Sequence, residues 1–170
     1  MCQFRALKKI CGPNDATPVI MYVIPVADVT VLPAATTDVA NNIFNVISTA
    51  PTLAASKKWQ PVMLRRKDIK FTNPVKGEID ANQGREERLV GFYPESVEEA
   101  FYNAGISVGS DVLVGWKNGN GKQQIWGTLE NPVTVSKFDF DSSKSGFDIE
   151  FARDTGVTDT PPFYTGTFTI

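Results

Sequence analysis

Short runs of alternating apolar and polar residues, separated by glycine and proline, dominate this sequence. Thirteen glycines and eleven prolines are spread over 170 residues. Such punctuation leaves little room for long helices and is typical of antiparallel β structure. We predict a mainly β fold: an antiparallel β-sandwich or barrel with one short flanking α-helix and a long extended hairpin. The length fits a single domain over residues 1–170, with an N-terminal arm at about 1–18 and a C-terminal strand.

The clearest predicted element is a hairpin of residues 111–117 and 122–129 around the turn 118–121. Its Asn-Gly pairs tolerate the positive φ angles that tight hairpin turns require. Alternation places three apolar residues of the first strand on one face: Val112, Val114 and Trp116. The register of the second strand stays open, so the pair sharing that face is either Trp126 with Thr128 or Ile125 with Leu129.

Other patterns predict further elements. A longer hairpin spans about 62–92 and turns at 82–84, with Asn73-Pro74 interrupting its ladder. Residues 96–99 form a capping box that predicts a helix ending near Gly105. Residues 38–49 fit a helix or a strand equally well. Two C-terminal strands are predicted from residues that share a face: Phe147, Ile149 and Phe151 in one, and Tyr164, Phe168 and Ile170 in the other.

Composition excludes most enzyme classes. The chain contains no histidine, which removes the commonest general base and the commonest metal ligand. The loop 115–122 lacks the spacing and the Ser/Thr of a phosphate loop, and the acidic stretch 139–148 lacks the glycine and the final glutamate of an EF-hand. We therefore predict no enzymatic activity and no catalytic, cofactor or metal site.

The net charge indicates which partners to expect, and the cysteine content indicates the redox compartment. A net charge of −2 argues against a duplex-binding module or an anionic membrane surface. No segment approaches the ~20 apolar residues of a membrane helix. Cys2 and Cys11 would close only a short terminal loop, so we predict free thiols and synthesis in a reducing cytoplasm.

The charges are arranged in two blocks of opposite sign. Residues 57–70 carry six basic residues and one acidic residue, whereas residues 77–100 carry seven acidic and two basic residues. One interpretation is a solvated surface with no further role. The other is a head-to-tail contact between copies of the chain, in which opposite patches set the orientation. The predicted subunit-interface residues are Arg65, Arg66, Lys67, Glu78, Asp80, Glu86 and Glu87.

The order of these motifs resembles that of a known family. The stretch Asn-Pro-Val-Lys-Gly-Glu-Ile-Asp at 73–80 is followed by the helix at 96–103, the hairpin at 111–122, Gly-Thr-Leu-Glu-Asn-Pro-Val at 127–133, and the ending Tyr-Thr-Gly-Thr-Phe-Thr-Ile at 164–170. Over about two-thirds of its length the chain resembles the tail tube proteins of tailed bacteriophages, especially those of phages of Bacteroidetes-type hosts.

The resemblance implies a virion structural protein, assembled in the host cytoplasm and located in the viral tail. Its partners would be further copies of itself, in hexameric rings stacked head to tail, and other tail proteins, with DNA passing through as cargo that does not bind. Glu78, Asp80, Glu86 or Glu87 would then face the lumen or a ring contact. Two alternatives stay open: another ring-forming virion protein, such as a tail terminator, connector or capsid decoration, and a monomeric carbohydrate-binding β-sandwich with Trp59, Trp116 and Trp126 as a stacking platform.

Overall fold

The fold is known from a computed structural model. It describes residues 18–38, 43–62, 64–65, 68–76, 84–94, 105–118, 121–143, 146–155 and 161–170. Several predictions fall outside these ranges: the N-terminal arm with Cys2 and Cys11, the helix at 96–103, and four of the interface residues, Arg66, Lys67, Glu78 and Asp80.

The fold is mainly β, as the alternating pattern predicts. The strands are β1 (Pro18–Pro25), β2 (Val29–Val31), β3 (Thr36–Asp38), β4 (Ile43–Ile47), β5 (Thr52–Leu53), β6 (Gln60–Val62), β7 (Lys70–Thr72), β8 (Val75–Lys76), β9 (Gly84–Pro94), β10 (Asp111–Asn118), β11 (Gln123–Trp126), β12 (Val133–Asp141), β13 (Gly146–Thr155) and β14 (Phe163–Tyr164). A 3-10 turn, Val26–Asp28, follows β1. None of the helical structure in those ranges is long and apolar enough to cross a bilayer.

Strand β10 is the branch point of the main sheet. One of its edges pairs with β1, which in turn pairs with β6. Its other edge is shared, because Asp111 and Val112 pair with β12 whereas residues 114–117 pair with β11. The first branch continues from β11 through β14 and β4 to β3, and the second continues from β12 through β13 to β9, which carries β7 and β8. Strands β2 and β5 form a separate small sheet.

Two apolar clusters cover the two faces of β10. Val112, Val114 and Trp116 lie in the larger cluster, which also holds residues from β12, β13 and β9. Leu113 lies in the smaller cluster with Trp59 and the C-terminal Phe168. The predicted shared face of Val112, Val114 and Trp116 is thus confirmed. The register of the second strand is now also known: Val114 lies opposite Trp126, so Trp126 shares that face and lies in the larger cluster.

The long hairpin has the predicted interruption. Strands β7 and β8 both pair antiparallel with β9, in one continuous register from Lys70 opposite Val90 to Lys76 opposite Gly84. Asn73 and Pro74 separate the two short strands. The ladder is broken there because proline has no N–H to donate, although the carbonyl of Pro74 still accepts from Glu86 N at 3.1 Å.

The C-terminal predictions are partly confirmed. Phe147, Ile149 and Phe151 are buried along β13, as their alternation predicts. The final segment forms only the two-residue strand β14, so the predicted strand does not extend to residue 170. Tyr164 and Phe168 are buried, whereas Ile170 is 61% exposed. Within residues 38–49, the described part contains strand β4.

Candidate functional site

The outward face of β9, β12 and β13 carries a concentration of charge. The core face of these strands is apolar, and side chains alternate along a strand, so the intervening residues point away from the core. We call this set the acidic face. Its charged members are Glu86, Arg88, Lys137, Asp139, Asp141, Asp148, Glu150 and Asp154. Six carboxylates against two cations give this face a net charge of −4.

The two cations each lie between carboxylates. Arg88 pairs with Glu86, and its Nη1 donates to Glu150 Oε1 at 2.6 Å. The hydrogen bond with Glu86, with the charges of Glu86 and Glu150, raises the pKa of the Arg88 guanidinium above its ordinary value. Lys137 Nζ lies 3.7 Å from Asp139 Oδ2 and 4.0 Å from Asp148 Oδ2. Exposed pairs of this kind contribute little to stability, and they leave the face negative.

A shallow groove crosses the acidic face beside β9. It has a volume of about 450 Å³ and is lined by Arg65 and Asp68 as well as by residues of β9, β12 and β13. The guanidinium carbon of Arg65 lies 4.4 Å from the centre of the Phe92 ring, and Arg65 Nε is 3.5 Å from Asp68 Oδ2. Arg65 therefore covers the ring of Phe92, and its positive charge is balanced by the negative charge of Asp68.

The strands behind the acidic face end in open edges within the described ranges. Strand β12 pairs with β10 only at Val133 and Thr134, and beyond Val135 it pairs with β13 alone. On the far side, β7 and β8 pair with β9 alone. Unpaired N–H and C=O groups along an edge can accept a strand from another chain, so this part of the sheet can be extended in both directions.

Glu87 does not belong to this face, and its predicted interface role is wrong. The residue is completely buried. Its Oε2 accepts from Trp126 Nε1 at 2.5 Å and from Arg153 Nε and Nη2, each at 2.7 Å, and its Oε1 accepts from Asn73 Nδ2 at 3.3 Å. A carboxylate with this many donors is a structural anchor, because burial of a charge is tolerated only when it is paired.

Strand alternation in the sequence indicates that Glu87 is buried, whereas counting charges along residues 77–100 does not. Glu87 has the same parity along β9 as Leu89, which is buried in the larger cluster. Alternation therefore places Glu87 on the core face. Its partner Arg153 lies opposite it on β13, a pairing that no local pattern indicates.

The two other predicted interface residues that the structure describes have partners within the chain. Arg65 pairs with Asp68 as described above, and Glu86 pairs with Arg88. In the basic block, Lys57 Nζ lies 3.2 Å from Asp28 Oδ1. Of the seven residues predicted to form the interface, the structure places Glu86 on the acidic face and Arg65 at its groove.

The tryptophans do not form a binding platform. Trp59, Trp116 and Trp126 are each at most 4% exposed, and Trp116 and Trp126 pack against Phe71 in the larger cluster. A sugar ring cannot stack on side chains that are covered by protein. In the described ranges there is also no group of three or more acidic or cysteine residues arranged to hold a metal ion.

Comparisons with protein-family models, with curated proteins and with solved structures found no match to this chain.

Proposed function

We propose that this chain is a structural subunit of a bacteriophage tail tube. In this proposal, copies join edge to edge into rings, hexameric as the family resemblance implies, and the rings stack into a conduit for the genome. The single observation that carries the proposal is the acidic face, which lies between two edges that have no strand partner among the described residues: β12 beyond Val135, and β7 with β8.

The charge of the face suits a conduit for DNA. Phosphates bind arginine and lysine with release of counterions, so a basic lining would retain the genome. A face with a net charge of −4 repels phosphates, and its two cations are already engaged by neighbouring carboxylates. DNA would therefore slide past this surface without binding to it.

The open edges supply the contact between copies. The free edge of β12 in one copy and the edge formed by β7 and β8 in the next belong to the same branch of the sheet. Joining them would continue the acidic face from copy to copy around a ring. A heterologous contact of this kind closes into a ring when the rotation between copies divides a full turn.

We also propose that the two branches of the sheet form the two layers of a β-sandwich. Support comes from the larger apolar cluster, which brings Val114 of β10 and Trp126 of the first branch into one core with Phe151 and Leu89 of the second. Burial between two sheet faces is the usual core of such folds.

The first experiment is negative-stain microscopy of the purified protein over a range of concentrations. Rings of uniform diameter, and tubes with a central channel, are the expected result. A protein that stays monomeric at high concentration in sedimentation velocity would contradict the proposal.

The second experiment asks which face lines the channel. Asp139→Cys on the acidic face and Ser48→Cys on an exposed loop are made in a chain whose Cys2 and Cys11 are replaced by serine. Both variants are treated with a small maleimide and with a maleimide coupled to a globular protein, before and after assembly. Assembly should block only the large reagent at position 139, and labelling by both reagents in tubes would exclude this face from the channel.

A further inference from the structure

The C-terminal end of β12 presents an aromatic side chain to solvent. Phe140 is 62% exposed. Its ring lies 5.3 Å from that of Phe147, which stacks on Phe138 at 4.5 Å with the planes 4° apart. Just beyond it, Asp141 Oδ1 accepts from Ser143 N at 2.9 Å. The exposed ring of Phe140 therefore packs on one side against Phe147.

A cleft of about 470 Å³ lies at the other end of the same two strands. Its apolar lining comes from Leu32, Pro33, Ala35, Ile47, Leu129 and Pro162. Clefts of about 300–1,000 Å³ hold drug-sized ligands. This one has room for a phenylalanine side chain and the backbone beside it.

Two charged residues also line the cleft: Glu130, which is exposed, and Arg153. Arg153 is 11% exposed, and Glu87 fixes it by accepting from Nε and Nη2. Its Nη1 makes no hydrogen bond to the residues that the structure describes. The wall of the cleft thus contains a guanidinium whose orientation is fixed by Glu87 and whose Nη1 can donate a hydrogen bond to a ligand.

The exposed ring and the cleft are too far apart to meet within one molecule. Asp141 lies opposite Gly146 at one end of the β12–β13 ladder, and Thr134 lies opposite Ala152 near the other. Seven residues of strand separate these positions, or about 23 Å. A contact between ring and cleft therefore requires a second copy of the chain.

We propose that Phe140 of one copy inserts into this cleft of the next copy, where Arg153 Nη1 donates to an oxygen atom of the incoming turn. The contact is heterologous, and because its two halves lie at opposite ends of one ladder, repeating it adds copies along the strand direction. The inference rests on the proposed function and assigns the contact between stacked rings. A few buried anchor side chains in well-packed, desolvated pockets carry most of the binding energy of an interface.

Cross-linking tests the contact directly. Phe140→Cys and Ala35→Cys are made separately in the chain that lacks Cys2 and Cys11, one of them carrying a size tag, and the two proteins are mixed under mild oxidation. A disulfide between the two different variants is expected, whereas each variant alone should stay uncross-linked. Absence of the mixed product, or a dominant dimer of Phe140→Cys with itself, would overturn the inference.

An assembly assay supplies the second readout. Phe140→Ser should raise the concentration at half-assembly by about tenfold or more, because the loss of a buried aromatic anchor costs at least a factor of ten in affinity. Val108→Ser is the matched control, since Val108 is 58% exposed but lies away from the turn, and it should leave assembly unchanged. Thermal melting confirms that both variants are folded.

The outcomes separate this inference from the proposed function. Tubes that form equally well from the wild type and from Phe140→Ser overturn the stacking contact and leave the tube proposal intact. Rings that no longer stack in Phe140→Ser support both. A wild-type protein that never assembles overturns both.

Discussion

Replacing Glu87 with alanine would leave the guanidinium of Arg153, which is only 11% exposed, without its counterion. In the wild type, Arg153 Nε and Nη2 and Trp126 Nε1 all donate to Glu87 Oε2, at 2.7, 2.7 and 2.5 Å. Removal of one partner of a buried ion pair costs about 3–5 kcal/mol. A domain of this kind has a total unfolding free energy of about 5–15 kcal/mol, so Glu87→Ala should remove a large fraction of it.

The assay is urea unfolding followed by tryptophan fluorescence. With a urea m-value of about 2 kcal/mol/M, a loss of about 4 kcal/mol moves the midpoint down by about 2 M. Glu87→Gln should fall between the wild type and Glu87→Ala, because it keeps an acceptor but loses the charge.

The matched control is the double variant Glu87→Ala/Arg153→Met. Removing the unpaired cation should restore about 2 kcal/mol or more relative to Glu87→Ala, because an apolar replacement of a buried pair is often nearly neutral. A midpoint shift of less than about 0.3 M in Glu87→Ala, or about 0.6 kcal/mol, would show that Glu87 is not a stabilising counterion of Arg153. A double variant no more stable than Glu87→Ala would show the same.

Two further predictions concern packing and pH. Gly115→Ala should cost about 1–3 kcal/mol, because an added Cβ would overlap the ring of Phe168, and an unchanged urea midpoint would contradict this packing. Burial raises the pKa of Tyr93 and of Tyr164 above the ordinary value of 10.0, so the folded state favours the neutral phenols. Their contribution to stability is complete below pH 10 and is lost as the pH rises through the raised pKa values; midpoints measured between pH 8 and 11 should fall only above 10 and should stay level in Tyr93→Phe/Tyr164→Phe.

The sequence predicts most local elements of this fold, because their signals are local. Alternation identifies β10 and β13, and the Asn-Gly turn places β11 after β10. The predicted effect of Pro74 on the long hairpin also follows from one residue, since proline cannot donate to a ladder.

The arrangement of the sheet is not predictable in the same way. The sharing of one edge of β10 between β11 and β12 depends on where the chain turns away at Gly127, which is buried and has a φ of 97°. Alternation predicts that Ile170 shares a strand face with Phe168, but the chain has left the strand conformation after Tyr164. Alternation along the sequence predicts which face a side chain lies on only within a continuous strand.

The acidic face shows the same limit. The sequence separates Glu86 from Asp148 by some sixty residues, and only the β9–β13 ladder brings their strands together. The charge blocks counted along the chain therefore mixed residues of both faces: Glu86 points outward, whereas Glu87 is buried beside Trp126. Charge along a sequence predicts a surface only after strand faces are assigned.

The position of β1 has a consequence for how the chain folds. Met21 lies opposite Trp116, almost a hundred residues later in the sequence, and β1 is apolar on both faces, with Val23 in the larger cluster and Ile24 in the smaller. Folds that depend on such distant pairing fold slowly, in about milliseconds to seconds. During synthesis, the apolar strand β1 stays unpaired until β10 has been translated. In that interval its exposed apolar surface is prone to aggregation, and chaperone binding would protect the nascent chain.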